Sequence, residues 1–287
     1  MIGIKRYNEV YLAVRKRLRD EGIEGSDLES RLLAAKASGK TVEEFLRDAS
    51  LYCDESFEKT LEELCERRLR GEPVAYITGE WEFYGLPLKV TPDVLVPRTD
   101  TEVLVDAALE TIKAYGGGLR VLDLCAGSGC VGAALAANVS CRVVEVDNSA
   151  AALSVCRANT ILNGLTRHIT SVEADALEEP PALLGLFDMI VCNPPYIATA
   201  EIETLEPIVR DYEPHAALDG GEDGLKFYRA ITKLWRSVLK PSGFLFYECG
   251  EGQATEIFDI LAQNGFGKIK TYRDTLGTER VISGQLL

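Results

Sequence analysis

Hydrophobic and polar positions fall into two regimes along the chain. In the first 70 residues, apolar positions recur at helical spacing between clear start and stop signals. Ser26-Asp27-Leu28-Glu29 and Thr41-Val42-Glu43-Glu44 both read as capping boxes, each opening a short helix. The first of these helices stops at Gly39. A third, with Phe57, Leu61 and Leu64 on one face, stops at Gly71 with Pro73 just beyond. From Trp81 to Val96 the pattern breaks into short β-prone pieces, Trp81 to Tyr84 and Leu88 to Val90, punctuated by Gly85, Pro87 and Pro92. Beyond Pro97, apolar runs at 121–124, 142–146, 170–174, 187–192 and 243–248 read as strands. They alternate with helical stretches at 130–138, 150–163, 224–239 and 253–264. This order predicts an α/β fold with a doubly wound, mostly parallel sheet and a ligand at the carboxyl ends of its strands. The expected division is a helical bundle over 1–79, a β-hairpin linker over 80–97 and the α/β domain over 98–287.

Composition narrows the class. With 287 residues, 46% hydrophobic and 26% charged, the chain has the make-up of a soluble enzyme with ample core. No apolar run approaches the roughly 20 residues that span a bilayer. The start, Met1 to Arg6, lacks a leader's apolar stretch, so a cytoplasmic protein with no membrane association is expected. The eight cysteines form no Cys-x-x-Cys pair, and His168 and His215 have no metal-ligand spacing. Reduced, mostly buried thiols and no metal are expected, with Cys130, Cys156 and Cys192 acting as small hydrophobes. The net charge of −14 is concentrated after residue 79, where 17 basic residues face 29 acidic ones. Such a surface repels phosphates, so no direct nucleic-acid partner is expected.

Two motifs carry chemistry. Val121 to Leu124 is a buried strand that runs into the small-residue turn Cys125-Ala126-Gly127-Ser128-Gly129, with a helix following at once. Such a turn lets backbone approach a nucleoside closely. The next strand ends in Asp147, 18 residues after Gly129, where a carboxylate can accept both hydrogen bonds of a ribose diol. These features fit a nicotinamide dinucleotide as well as S-adenosyl-L-methionine.

The second motif separates them. The strand from Phe187 to Cys192 ends in Asn193-Pro194-Pro195-Tyr196. Prolines cannot continue a ladder, so the chain leaves the sheet there in a stiff loop facing the cofactor. A planar NH₂ group is a weak nucleophile, and methyl transfer requires its lone pair to lie along the C–S axis. The Asn193 side-chain oxygen and the Pro194 carbonyl can each accept a hydrogen bond from that NH₂, and the Tyr196 ring can stack on the planar group. Asn193, Pro194 and Tyr196 are the candidate catalytic residues, with Pro195 completing the substrate-binding loop.

With these residues in place the chain resembles the HemK/PrmC family, the protein-(glutamine N5) methyltransferases of peptide chain release factors. The likeness runs through Gly71 to Gly79, Phe83 and Gly85, Val96-Pro97-Arg98 with Thr101-Glu102, the Gly127-Ser128-Gly129 turn, Asn193 to Tyr196, Tyr212-Glu213-Pro214, and Ala217 to Leu225. The Asn-Pro-Pro-Tyr tetrapeptide is shared with DNA adenine methyltransferases; the linker and Gly220-Gly221-Glu222-Asp223-Gly224-Leu225 select the family. The resemblance implies a class I S-adenosylmethionine-dependent methyltransferase, Rossmann-like with a seven-stranded sheet, carrying a helical substrate-recognition domain and a hairpin linker. It implies methylation of the glutamine in a release factor's Gly-Gly-Gln motif. Cys125 to Gly129 and Asp147 match the family's cofactor contacts, and Asn193 to Tyr196 its glutamine loop, with Asn193 also near the cofactor. Asp175 and Ala176, after the third strand, fall where the adenine ring belongs. The chain departs from the family at Cys125, commonly Gly, and at Thr99-Asp100, usually Pro-Glu. Arg98 is read as holding the hairpin and is left out of the site. Two rival readings are an adenine-N6 methyltransferase acting on a flipped DNA base, which the acidic surface disfavours, and a non-catalytic cofactor-binding adaptor of translation factors, which would not need a complete acceptor loop.

Overall fold

The computed structural model describes residues 5–287; the opening four, read above for the lack of a leader, lie outside them. The strands are β1 (Glu80–Phe83), β2 (Leu86–Lys89), β3 (Leu119–Leu124), β4 (Cys141–Asp147), β5 (Ile169–Glu173), β6 (Phe187–Cys192), β7 (Leu239–Glu248), β8 (Phe266–Arg273) and β9 (Glu279–Leu286). β1 and β2 form a two-stranded hairpin whose turn residues Tyr84 and Gly85 both have positive φ, the twist that matches tight hairpin turns. The other strands form one seven-stranded sheet in the order β5-β4-β3-β6-β7-β9-β8. Its pairs are parallel from β5 through β7, while β9 runs antiparallel to both β7 and β8.

Burial on both faces explains the near-continuous apolar runs of the inner strands. Val121, Val143, Met189, Val191, Phe246 and Val281 face one cluster with the helices Glu102–Ala114 and Cys130–Asn138. Their neighbours Leu122, Val144, Ile190, Leu245 and Ile282 face the opposite cluster with Lys226–Leu234 and Ala254–Gln263. The strand order reverses at β3, which lies between β4 and β6, and ligands of such sheets bind beyond the strand ends at that point.

Two compact units divide the chain. One gathers the described residues up to Glu80 together with Pro207–Tyr212; the other gathers Trp81–Glu206 and Glu213–Leu287. In the first, helices Tyr7–Asp20, Ser26–Ser38, Val42–Asp48 and Glu55–Leu69 pack around Tyr7, Phe45 and Phe57, whose rings meet at centroid distances of 4.6 to 6.1 Å. The Thr41 box forms: the Thr41 hydroxyl accepts from Glu44 N at 3.2 Å, and the Glu44 carboxylate accepts from Thr41 N at 3.0 Å. The Ser26 box does not. Ser26 is already inside its helix, Gly25 takes the cap position, and Glu29 turns away to pair with the buried Arg68 at 2.5 Å. An interhelical ion pair has outcompeted a local cap. Arg15 and Arg17 also pair within the unit, Arg15 with Asp27 and Arg17 with Glu62 and Glu66.

The helix expected over 224–239 is shorter, Lys226–Leu234 followed by a 3₁₀ turn Trp235–Val238. Helices Val74–Thr78 and Glu102–Ala114 and strands β8 and β9 were not anticipated from the pattern. All eight cysteines are free, and all but Cys125 are buried. Among the described residues no helix is long and apolar enough to cross a membrane.

Candidate active site

The turn after β3 is built on left-handed backbone. Cys125, Gly127 and Gly129 have φ of 60°, 54° and 76°. At Cys125 that conformation strains a side chain, which glycine would avoid. Gly129 is demanded more strictly. A Cβ on it would lie 2.6 Å from Glu145 Oε1 and 3.2 Å from Cys156 Sγ. At Gly127 nothing stands within 4 Å of the same position, leaving the approach to the turn open.

Asp147 ends β4 alongside. One carboxylate oxygen accepts from Gly127 N and the other from Ser149 N, both at 2.9 Å, so the residue ties the turn to the next helix. Each oxygen keeps a lone pair for a ribose hydroxyl. Burial raises the Asp147 carboxyl above its usual range, against the pull of these backbone donors. Two more acids lie deeper, directly opposite each other on β3 and β4: Asp123, which accepts from Gly132 N at 2.8 Å, and Glu145, which accepts from the Ser171 hydroxyl at 3.0 Å. Burial pushes Asp123 well up, with Glu145 adding repulsion, and burial pushes Glu145 up to about 7. After β5, Asp175 accepts from Leu177 N at 2.8 Å, and the Ala176 carbonyl accepts from the buried Trp235 indole at 3.0 Å.

The acceptor loop leaves β6 beside this turn, since Cys192 is the register partner of Leu124. Its backbone is held from two sides. Ile197 N donates to Leu218 O at 3.0 Å and Gly220 N donates to Ile197 O at 2.8 Å, zipping the loop to the Gly-Gly-Glu-Asp-Gly segment. A Cβ on Gly224 would stand 2.4 Å from Tyr196 O, and one on Gly220 would stand 2.8 Å from Tyr196 Cα. The glycines permit that approach. Gln253 closes the other side, donating to Tyr196 O at 2.9 Å and accepting from Gly250 N at 3.0 Å. The Asn193 side-chain amide donates to Thr101 Oγ1 at 3.3 Å. Tyr196 is partly buried, and desolvation raises its phenol above the usual range.

The expected site residues thus gather around the carboxyl ends of β3 to β6. Arg98 lies elsewhere in role: it pairs with the buried Glu213, which also accepts from Val96 N at 3.3 Å, and so pins the segment after the hairpin. Thr101, Gln253, Gly220, Gly224 and Glu248 were not singled out from sequence as site residues. Thr101, Gly220 and Gly224 stood inside quoted motifs, while Gln253 and Glu248 left no signal.

A seven-stranded sheet with one reversed strand, a glycine turn after β3 and an acid after β4 define the methyltransferase fold. It is shared with a methyltransferase from Pyrococcus furiosus at a TM-score of 0.50 and 17% identity, over 77% of this chain and 96% of that one. The hMettl16 catalytic domain, solved with an RNA hairpin, shares it at a TM-score of 0.57 and 14% identity, over 71% of this chain and 77% of that one. The PrmC N-terminal domain model matches residues 9–79, and the methyltransferase small domain model matches residues 100–219. The chain is 40% identical to the release factor glutamine methyltransferase of Geobacter sulfurreducens, over 94% of this chain and 93% of that one. It is 36% identical to the enzyme of that name from Agrobacterium fabrum, over 95% and 94%. The chain belongs to the release factor glutamine methyltransferase family.

Proposed function

We propose that this protein transfers a methyl group from S-adenosyl-L-methionine to the side-chain amide nitrogen, N5, of the glutamine in the Gly-Gly-Gln motif of a peptide chain release factor. The observation that carries the reading is the loop Asn193 to Tyr196, fixed at the carboxyl end of β6 beside the turn after β3. Residues around that turn fit the nucleoside. Space above Gly127 is open, Asp147 has lone pairs to spare for the ribose, and Ala176, whose carbonyl is held by Trp235, is proposed to offer its amide to a ring nitrogen. Cys125, Ala126, Ser128 and Asp175 complete the proposed contacts.

S-adenosyl-L-methionine, when bound, supplies an electrophilic methyl. The chain's own residues do the rest by orientation. Asn193 Oδ1 and the Pro194 carbonyl accept the two amide hydrogens, which turns the nitrogen lone pair toward the methyl and favours the positive charge that grows on nitrogen. The Tyr196 ring gives the planar amide a face to lie on. No base is required before attack, because the proton leaves most easily once nitrogen is cationic. The helical unit, matched by the PrmC N-terminal model, is proposed to recognise the protein substrate.

The test is transfer of labelled methyl to three acceptors side by side: a purified release factor, its Gln→Ala variant in the Gly-Gly-Gln motif, and duplex DNA. Label on the unaltered factor alone is expected. Label on DNA would replace this reading with adenine methylation, and no label on any acceptor would replace it with the adaptor.

A further inference from the structure

Glu248 ends β7 directly beside the acceptor loop, one residue beyond Tyr247, which is the register partner of Cys192. It is 2% exposed, and its Oε2 has no hydrogen-bond partner. Burying a carboxylate without a dedicated cation is unfavourable unless hydrogen-bond donors compensate. The cation that acts on it, Arg280, is already committed to Asp100 and Asp274, each at 3.0 Å. The groups that favour its ionised form as donors are the Thr101 hydroxyl and the Asn193 amide.

The chemistry of these three groups gives the contact a direction. A hydroxyl can donate or accept, and an amide has one end of each kind, but an ionised carboxylate only accepts. An ionised Glu248 therefore draws the Thr101 hydrogen to itself, which leaves the Thr101 Oγ1 lone pairs for Asn193 Nδ2, the contact at 3.3 Å. With Nδ2 turned inward, Oδ1 is the end left for the acceptor. We infer that Glu248 is a positioning residue that sets acceptor specificity: through Thr101 it fixes the Asn193 amide with oxygen outward, so that the loop receives an NH₂ group. The relay rests on the function proposed above. Reversing it would present the Asn193 NH₂ to a substrate NH₂, donor against donor.

Glu248 titrates where this can be seen. Burial is the main cause raising its carboxyl to about 7, Asp100 adds to the rise, and Arg280 with the Thr101 and Asn193 hydrogen bonds opposes it. The other ionisable groups facing it, Tyr196, Tyr228, Cys130 and Cys249, are all pushed up by burial and stay neutral through that range.

Two measurements on the full chain test the relay. In the first, turnover of a release factor is followed against pH for the wild type, E248Q, T101V and T101S, with S-adenosylmethionine affinity measured beside it. Wild-type kcat should rise as pH rises through about 7, because the ionised form directs the chain. E248Q and T101V should lose kcat by on the order of 10- to 100-fold, as for a misoriented site group, and lose that limb, with cofactor Kd changed less than about two-fold. T101S should restore most of what T101V loses. The second measurement needs no substrate. The Asn193 side-chain amide signals in an NMR spectrum should titrate in the wild type and not in E248Q. Wild-type turnover in E248Q, a limb that persists in E248Q, or Asn193 signals indifferent to Glu248 would overturn the relay. A wild-type enzyme that leaves the release factor unlabelled would overturn the proposed substrate, while the NMR titration would still decide the relay.

Discussion

The cofactor turn and the acceptor loop end neighbouring strands, yet they are stiffened by opposite means. The turn achieves close approach by omitting side chains and forcing the backbone left-handed at Cys125, Gly127 and Gly129 over a bed of buried acids. The loop uses two prolines and is gripped from outside, by Gly220, Gly224 and Gln253 on its backbone and by Thr101 on Asn193. One region binds with main chain and depends on what is missing. The other orients with side chains and depends on what surrounds them.

That contrast predicts different losses. Asn193→Ala should lower the single-turnover rate by about 10²-fold or more, as for the loss of one orienting oxygen, with cofactor affinity by calorimetry essentially unchanged. A parallel fall in affinity would mean that the two regions are not separable. The buried acid beneath the turn should instead appear in stability. Glu145 holds its proton up to about pH 7 when folded, against a usual value of 4.5, so its protonated form favours folding. The contribution is complete below pH 4.5 and is lost as pH rises through about 7. Its full size is on the order of 3 kcal/mol. Urea unfolding at a series of pH values should show the decline, and Glu145→Gln should remove its share, leaving that of Asp123 and Glu248, without altering the kcat profile ascribed to Glu248.

A methyl group at Gly129 attacks the turn directly. Gly129→Ala should cost about 1–3 kcal/mol of stability from the left-handed backbone and the close approach to Glu145, and it should weaken cofactor binding. The smallest expected effect has the opposite sign. Cys125→Gly removes the strain of a side chain at φ 60° and returns part of the gain as unfolded-state entropy, for a net stabilisation of about 0.5 kcal/mol by urea unfolding. Destabilisation there would mean that the Cys125 side chain contributes packing that outweighs its backbone strain.

The strand, turn, helix and acid of the cofactor region are local in sequence, and so is the Asn-Pro-Pro-Tyr loop; both were legible. Thr101, Glu248 and Gln253 are not, because each lies more than fifty residues from Asn193 and meets the loop only through the sheet. The final strands hid for a different reason. β9 is buried between β7 and β8, yet its central Ser283-Gly284-Gln285 reads as a turn. There Gln285 satisfies itself on Ser242 O at 2.9 Å, and Gly284 gives way to Phe266, whose Cβ stands 3.1 Å from where its own would be. β8, at the sheet edge, carries Lys268 and Lys270, the charges that blunt an edge and also mask a strand. Helix Glu102–Ala114 has no side-chain N-cap and grows out of a 3₁₀ turn, so the punctuation that revealed the early helices is missing.

The excursion Pro207–Tyr212 bears on how this gene can be cut. Within the helical unit, the Tyr212 hydroxyl donates to Arg70 O at 2.9 Å and its ring lies 3.4 Å from where a Gly71 Cβ would be. The unit is therefore not a contiguous reading frame. A fragment ending at residue 80 lacks its last six residues, and a catalytic fragment starting at 81 carries them as an orphan. Domain-swap chimaeras between relatives would keep the helical unit whole only if the short stretch travelled with the N-terminal segment, as two exchanged pieces and not one.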